Sequence, residues 1–349
     1  MRDRARSPRS GGGVPGPIGR VARRALVLLA CGFALVQTAG AQTAGTMAAG
    51  TPWPQRALRL IVPYPPGGVT DLIARQIAPA MAERLGQPIV IDNRAGAAGM
   101  TGTVAAAHAS ADGHTLLAVF DTFANNPLLF RQAGYDPIRD FAPIALLVRA
   151  PQVLVVPPRA GGPRTLAEFI EQGRTRPGGW NYASASAGSS SHLTAELLRL
   201  SAGIDLMPVH YKGGGPALND LLGGQVDAMF TPVGLAGPQV RNGRLLALAV
   251  TSPRRSSQMP EVPALAERYP GFEAQAWVAL FAPAQTPRAP LDAINAAVNA
   301  ALVLPEVREK LAAQGYDAAG GSPEALGEWL RAEVNRWGAV IRARNITLD

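Results

Sequence analysis

The sequence predicts an α/β protein of two lobes, built on mixed, mostly parallel sheets with helices on both faces. Short runs rich in Val, Ile and Leu alternate with longer helical patterns, as expected when helices cross over between neighbouring strands. About 308 of the 349 residues remain once an N-terminal leader is set aside, and at ~100 to 200 residues per domain that length fills two lobes. After the leader, no uncharged apolar stretch approaches the ~20 residues of a bilayer span.

The leader covers residues 1–41. Arg20, Arg23 and Arg24 end a basic start, Ala25 to Val36 form an apolar run, and Ala39-Gly40-Ala41 is a small-residue exit, the layout of a secretory signal. Cleavage there makes Gln42 the mature N-terminus. The leader holds seven of the 33 basic residues and one of the 25 acids, leaving 26 against 24. The net charge of +8 falls to +2, which gives no support to a nucleic-acid or membrane-surface partner. Cys31, the one cysteine, leaves with the leader, so the mature chain is expected to have no disulfide, thiolate metal site or cysteine nucleophile. Leu28-Leu29-Ala30-Cys31 also resembles a lipoprotein box, and Arg23-Arg24 permits a twin-arginine route; both readings stay open.

Strands are expected at 58–63, 89–92, 115–120, 144–148, 153–156, 206–210, 226–230 and 245–250, with a further extended run at 180–183. Between them, Thr165 and Glu168 spell a capping box. Pro216 suits a first helical position, with Gly223-Gly224 ending that helix. Ser322-Pro323 opens a last helix from Glu324 to about Arg344. The chain is expected to cross between lobes near 150–153, where two strands meet at Pro151, and to return near 273–281 around Trp277. That gives one discontinuous lobe of 42–152 and 275–349 and a second of 153–274.

Two loops stand out as ligand sites. Tyr64-Pro65-Pro66-Gly67-Gly68-Val69-Thr70-Asp71 joins the first strand to a helix running to about Leu85. Its glycines let backbone approach a ligand, and the free N–H groups of the helix start favour an anion. The alternative is a tight turn capped by Thr70 or Asp71. Ser184 to His192 repeats the arrangement with small hydroxyl residues, which donate to a carboxylate from side chain and backbone; the alternative is a serine-rich cap. Lys212, in Tyr211-Lys212-Gly213, can pair with an anion or stand solvated. Asp121-Thr122 and Phe230-Thr231-Pro232 occupy strand exits, where open α/β sheets place ligand contacts.

Catalytic and cofactor readings find little. Gly96, Gly99 and Gly102 are spaced G-x-x-G-x-x-G, which is neither the dinucleotide nor the P-loop pattern. No G-x-S-x-G elbow and no H-E-x-x-H occur, so neither a nucleophile elbow nor zinc is indicated. His192 and Glu196 stand four apart on a helix and can touch, although a structural His192 that fixes the preceding loop fits better.

An ordered series of motifs is more specific than any one of them. It runs from Tyr64 to Asp71, through Asp92-Asn-Arg94, Ala111-Asp-Gly-His-Thr-Leu116 and Tyr135-Asp-Pro-Ile-Arg-Asp-Phe141, to Gly188-Ser-Ser-Ser-His192, Tyr211-Lys212-Gly213, Gly223-Gly-Gln-Val-Asp227 and Thr251-Ser252. In this series, over nearly all of 53–349, the chain resembles the substrate-binding subunits of tripartite tricarboxylate transporters, the Bug family of periplasmic receptors. The resemblance implies a two-lobed clamp of the periplasmic-binding-protein type II class. It would close on a small carboxylated solute, without cofactor or metal, and deliver it as a monomer to membrane permease subunits. The ligand residues it implies are Tyr64, Pro66, Gly67, Gly68, Thr70 and Asp71 on one side and Ser186, Gly188, Ser189 and His192 on the other; the strand exits add Lys212 and Thr231. Three positions depart from the family's pattern: Ser186 stands for an expected glycine, and Ala95 and Ala98 for a usual proline and glycine. The rival functions are a secreted hydrolase using Ser189 or Ser190 with His192, and a sensor that docks to a membrane signalling protein.

Overall fold

The computed structural model describes residues 53–348, so the leader, its cleavage site and Cys31 lie outside the described residues. The chain runs β1 (Leu58–Val62), α1 (Val69–Leu85), β2 (Ile89–Asn93), α2 (Met100–Ala107), β3 (Thr115–Phe120), α3 (Thr122–Leu129) and β4 (Phe141–Val156). It continues as α4 (Leu166–Thr175), β5 (Trp180–Ser184), α5 (Ser190–Ala202), β6 (Leu206–His210), α6 (Gly214–Leu222), β7 (Ala228–Pro232), α7 (Val233–Arg241) and β8 (Leu246–Val250). Last come β9 (Gln275–Pro283), α8 (Arg288–Leu302), α9 (Pro305–Ala313), β10 (Asp317–Gly320) and α10 (Pro323–Arg344).

The strands lie in the order β2-β1-β3-β9-β4-β7-β5-β6, with β8 and β10 also pairing with β4. At one end β2, β1 and β3 are parallel, and at the other so are β6, β5 and β7. Every pairing of β4, and that of β3 with β9, is antiparallel. The sheets are thus more evenly mixed than the sequence suggested. Parallel ladders come from the βα units, whereas β4 and β9 are extended connections that run back through the middle.

Pro151 does not divide two strands. It sits inside the single 16-residue β4, where it is the last residue paired with β9, and Gln152 is the first paired with β7. A missing N–H costs little where a strand changes partners. Register shifts between Pro143 and Ala145 and between Leu146 and Val148 bend the long β4–β9 ladder.

Four buried clusters fill the two faces of each half. Around β1, β3, β4 and β9, one face packs on α1, α8 and α9 through Ile73, Ile77, Ile294 and Leu311. The other face packs on α3 and α10 through Phe123, Leu326 and Leu330. In the second half, Phe169, Leu193, Leu198 and Trp337 cover one face, and Leu218, Leu221 and Val233 the other. The last helix therefore serves both halves: its first turns join the core of the first half and its last turns that of the second. Between them Glu333 is 1% exposed and accepts from the indoles of Trp277 (3.0 Å) and Trp337 (2.9 Å) and from Arg336.

Several local expectations shift by a residue or two. Thr165 caps α4 by accepting from Glu168 N, but the Glu168 carboxylate reaches the N–H of Arg164, so the box is not closed on Thr165. Pro216 is the third residue of α6, which already starts at Gly214. The last helix is capped by Ser322 as expected.

Candidate functional site

The turn after β1 is held in place from behind. Gly67 takes φ +79°, a region a side chain resists, and its N–H donates to Asp71 Oδ2 at 2.8 Å. The Asp71 carboxylate also receives Arg75 Nε (2.9 Å) and Asn93 Nδ2 (3.0 Å), and Asn93 donates to the Tyr64 carbonyl as well. Burial pulls the Asp71 carboxyl up, but the bonds from Arg75, Gly67 and Asn93 outweigh it and hold the group below the usual carboxylate range. At 2% exposed and with these four bonds made, Asp71 is a buttress of the loop. This also assigns the Asp92-Asn93-Arg94 motif: Asn93 braces the turn, and Asp92 pairs with Arg59 and Arg94.

Pro66 is exposed at the tip. Gly68 is the N-cap of α1 at φ −72° and ψ 166°, with no side-chain cap. The alternative of a turn capped by Thr70 or Asp71 is therefore not what forms. The first N–H groups of α1, at Val69, Thr70 and Asp71, have no partner among the described residues, as the first turn of a helix dictates. Tyr64 turns inward: its hydroxyl pairs with Thr122 Oγ1 at 2.8 Å and receives the Phe120 N–H, and burial pushes the phenol up to about 12.

The serine-rich loop is tied mostly to itself. Ser189 caps α5, its Oγ donating to the Ser186 carbonyl (2.7 Å) and facing Ser191 Oγ (3.0 Å). Ser191 Oγ accepts from Ala185 N, and Gly188 N donates to His192 Nδ1 at 3.0 Å. His192 thus fixes the loop, as its structural reading expected, and the Gly188 amide is already used. Glu196 bonds Tyr182 and Arg344 rather than His192. The amides of Ser190 and Ser191 remain without a partner among the described residues, and the Ser186 side chain is exposed. Gly188 needs its φ of +72° and its missing side chain, because a Cβ would meet Leu348 at 2.7 Å and Leu129 of α3 at 2.8 Å.

Both loops arrive at one residue. Asp121 ends β3 beside Thr122, the partner of Tyr64, and the Ser190 hydroxyl of the second loop faces its carboxyl. Neither that hydroxyl nor the Thr122 N–H is aligned for a full hydrogen bond, and both Asp121 oxygens are buried without a partner. Burial first, and then the Glu333 charge, raise this carboxyl well above its ordinary range. The sequence marked Asp121 only as a strand exit; the overlooked signal was an acid ending the apolar run 115–120. Of the remaining expected residues, Thr231 is fully buried at the end of β7 with its hydroxyl unpaired. Lys212 is exposed, in a turn anchored to the serine loop by Gly213 N on Ala185 O.

Two loops, each opening a helix with free amides and each reaching the 121–122 strand exit through a side chain, fit a solute-binding protein of the periplasmic-binding-protein class. The model of the tripartite tricarboxylate transporter family receptor matches residues 73–346, and the chain belongs to that family. BugT of Bordetella pertussis is 38% identical over 296 residues, covering 83% of this chain and 90% of BugT. A Rhodopseudomonas palustris protein solved with adipate is 34% identical, with a TM-score of 0.71, covering 85% of this chain and 99% of its own. MatC from Rhodopseudomonas palustris, with bound malate, is 35% identical, with a TM-score of 0.66, covering 82% and 99%.

Proposed function

We propose that this receptor works in the periplasm, exported by its leader, and captures a small carboxylated solute between the halves 42–152 with 275–349 and 153–274. It then delivers the solute to the membrane subunits of a tripartite tricarboxylate transporter. The observation that carries this is the pair of helix starts, α1 and α5, whose first amides have no partner among the described residues, in two loops that Tyr64 and Ser190 tie to the 121–122 strand exit. Helix starts favour carboxylates through aligned N–H donors and the helix dipole, without needing an arginine. Gly67, Gly68, Thr70 and the tip at Pro66 form one jaw, with Tyr64 and Asp71 behind it. Ser186 and Ser189 form the other with the Ser190 and Ser191 amides, while Gly188 and His192 set its shape. Lys212 and Thr231 flank the cleft at neighbouring strand exits. The adipate and malate held by the two Rhodopseudomonas palustris relatives support this class of solute.

Binding without turnover fits the serines better than hydrolysis does. A nucleophilic serine needs a base within hydrogen-bond reach, yet Ser189 bonds Ser186 and Ser191, and His192 Nδ1 is occupied by Gly188. The test is native mass spectrometry of gently purified protein, followed by a melting screen of mono- and dicarboxylates. A true ligand at ~100 times its Kd stabilises by about 2.7 kcal/mol. Stabilisation by neutral sugars or metals alone refutes the proposal.

A further inference from the structure

Three buried side chains around the point where the two loops meet keep acceptor oxygens without a partner. Asp121 is 2% exposed and leaves both carboxyl oxygens unpaired. Asn125, one turn along α3 and 1% exposed, leaves its Oδ1 unpaired too. Gln152, at the point where β4 changes partners, spends Nε2 on Thr194 at 3.2 Å while its buried Oε1 has no partner. Ser190 and Thr194 are one turn apart on the same face of α5, so the Asp121–Ser190 contact and the Gln152–Thr194 bond bring these groups to one side of that helix. The orphaned atoms on Asp121, Asn125 and Gln152 are all acceptors. Buried polar atoms find partners in nearly every native structure, and what would complete these is a group with several N–H or O–H donors.

The charges around Asp121 call for the same thing. Glu333 bears on it from α10, Tyr64 from the turn after β1, and Tyr316 from the segment before β10, while α5 presents the neutral Ser190. None of these brings a positive charge. A lone carboxyl in such a place is costly unless a cation joins it.

We propose that Asp121 is the specificity-determining residue of the cleft and receives the protonated amine of an amino-substituted carboxylate. This rests on the carboxylate-capture reading above. The acid end of the solute meets the α1 and α5 amides, and its ammonium, with three donors, meets Asp121 and the side-chain carbonyls of Asn125 and Gln152. The ammonium favours an ionised Asp121, whereas in the empty cleft burial and then Glu333 raise that carboxyl well above its ordinary range. Binding the ammonium pulls it back down, so over the range where Asp121 titrates uptake is coupled to proton release and affinity rises with pH.

The experiment measures calorimetric affinity of the mature wild type and of Asp121→Asn for matched pairs: free aspartate with succinate, free glutamate with glutarate, and ω-amino acids with dicarboxylates of the same length. At least one amino compound should bind wild type about tenfold tighter than its partner, with proton release seen by comparing buffers of different ionisation enthalpy. Asp121→Asn should lose about 30-fold or more for that compound and stay within about threefold for the dicarboxylate. The variant should melt no lower than wild type when empty, because it removes a buried carboxyl. Equal or tighter dicarboxylate binding by wild type, or an equal loss for both ligands in the variant, overturns the role of Asp121 and leaves carboxylate capture standing. If wild type binds none of these acids, the capture reading itself fails.

Discussion

Replacing His192 by phenylalanine should remove much of the acid sensitivity of this protein. His192 is 6% exposed, accepts the Gly188 N–H and packs edge-on against His210 at 4.7 Å. Burial, then the neighbouring His210, depress the imidazole from 6.5 to about 4, with Glu196 opposing. With the folded value below the unfolded one, the stability is fully present above pH 6.5 and is lost as pH falls through the window down to about 4. At about 1.4 kcal/mol per pH unit, the loss reaches about 2 kcal/mol at pH 5 and about 3 kcal/mol at pH 4. The phenylalanine ring keeps most of the packing volume but orphans the buried Gly188 N–H, costing about 1 to 3 kcal/mol at every pH. Urea unfolding of both proteins at pH 7.5, 6, 5 and 4.5 gives the comparison; the variant should start less stable and the gap should shrink by about 2 kcal/mol by pH 5. A gap that stays constant across the series refutes a neutral, loop-holding His192.

Gly68→Val should weaken carboxylate binding at least ~100-fold by covering the α1 amides, two charge-assisted bonds being worth ~1.5 to 3 kcal/mol each. Its far-UV circular dichroism should hold, because φ is −72° and the nearest obstacle to a Cβ is Pro65 O at 3.2 Å; unchanged affinity in a folded variant removes this loop from the site. Ser189→Ala should cost about 1 kcal/mol as a lost cap and about tenfold in affinity, whereas ester hydrolysis that disappears in this variant would install the hydrolase reading. Ala98→Gly should stabilise by about 0.5 to 1 kcal/mol, since Ala98 is held at φ +54°, where alanine is strained and glycine is not; a lower denaturation midpoint would show that the strain is absent.

Local pattern made much of this molecule legible in its sequence. The Val- and Ile-rich runs gave β1, β2, β3 and β6 within a residue, because strand periodicity and turn chemistry are short-range. Ser322-Pro323 and Gly223-Gly224 likewise marked helix ends through backbone needs of their own. Gly67 and Gly188 were readable as loop glycines, although only the structure shows why each is needed: φ +79° at one, and φ +72° with Leu129 and Leu348 against it at the other.

What the sequence could not determine depends on contacts between distant segments. Pro151 looked like a strand break, and only the change of partner from β9 to β7 explains why β4 passes through it. Asp71 looked like a ligand residue until Arg75 and Asn93 were seen to occupy it. Asp121 looked like one strand exit among several. The upward shift of its carboxyl follows from burial and from Glu333, 212 positions away in sequence, against which Ser190 of another distant loop works. Burial and pairing depend on which segments the fold brings together, so a lone buried carboxyl shows itself only once the chain has folded around it.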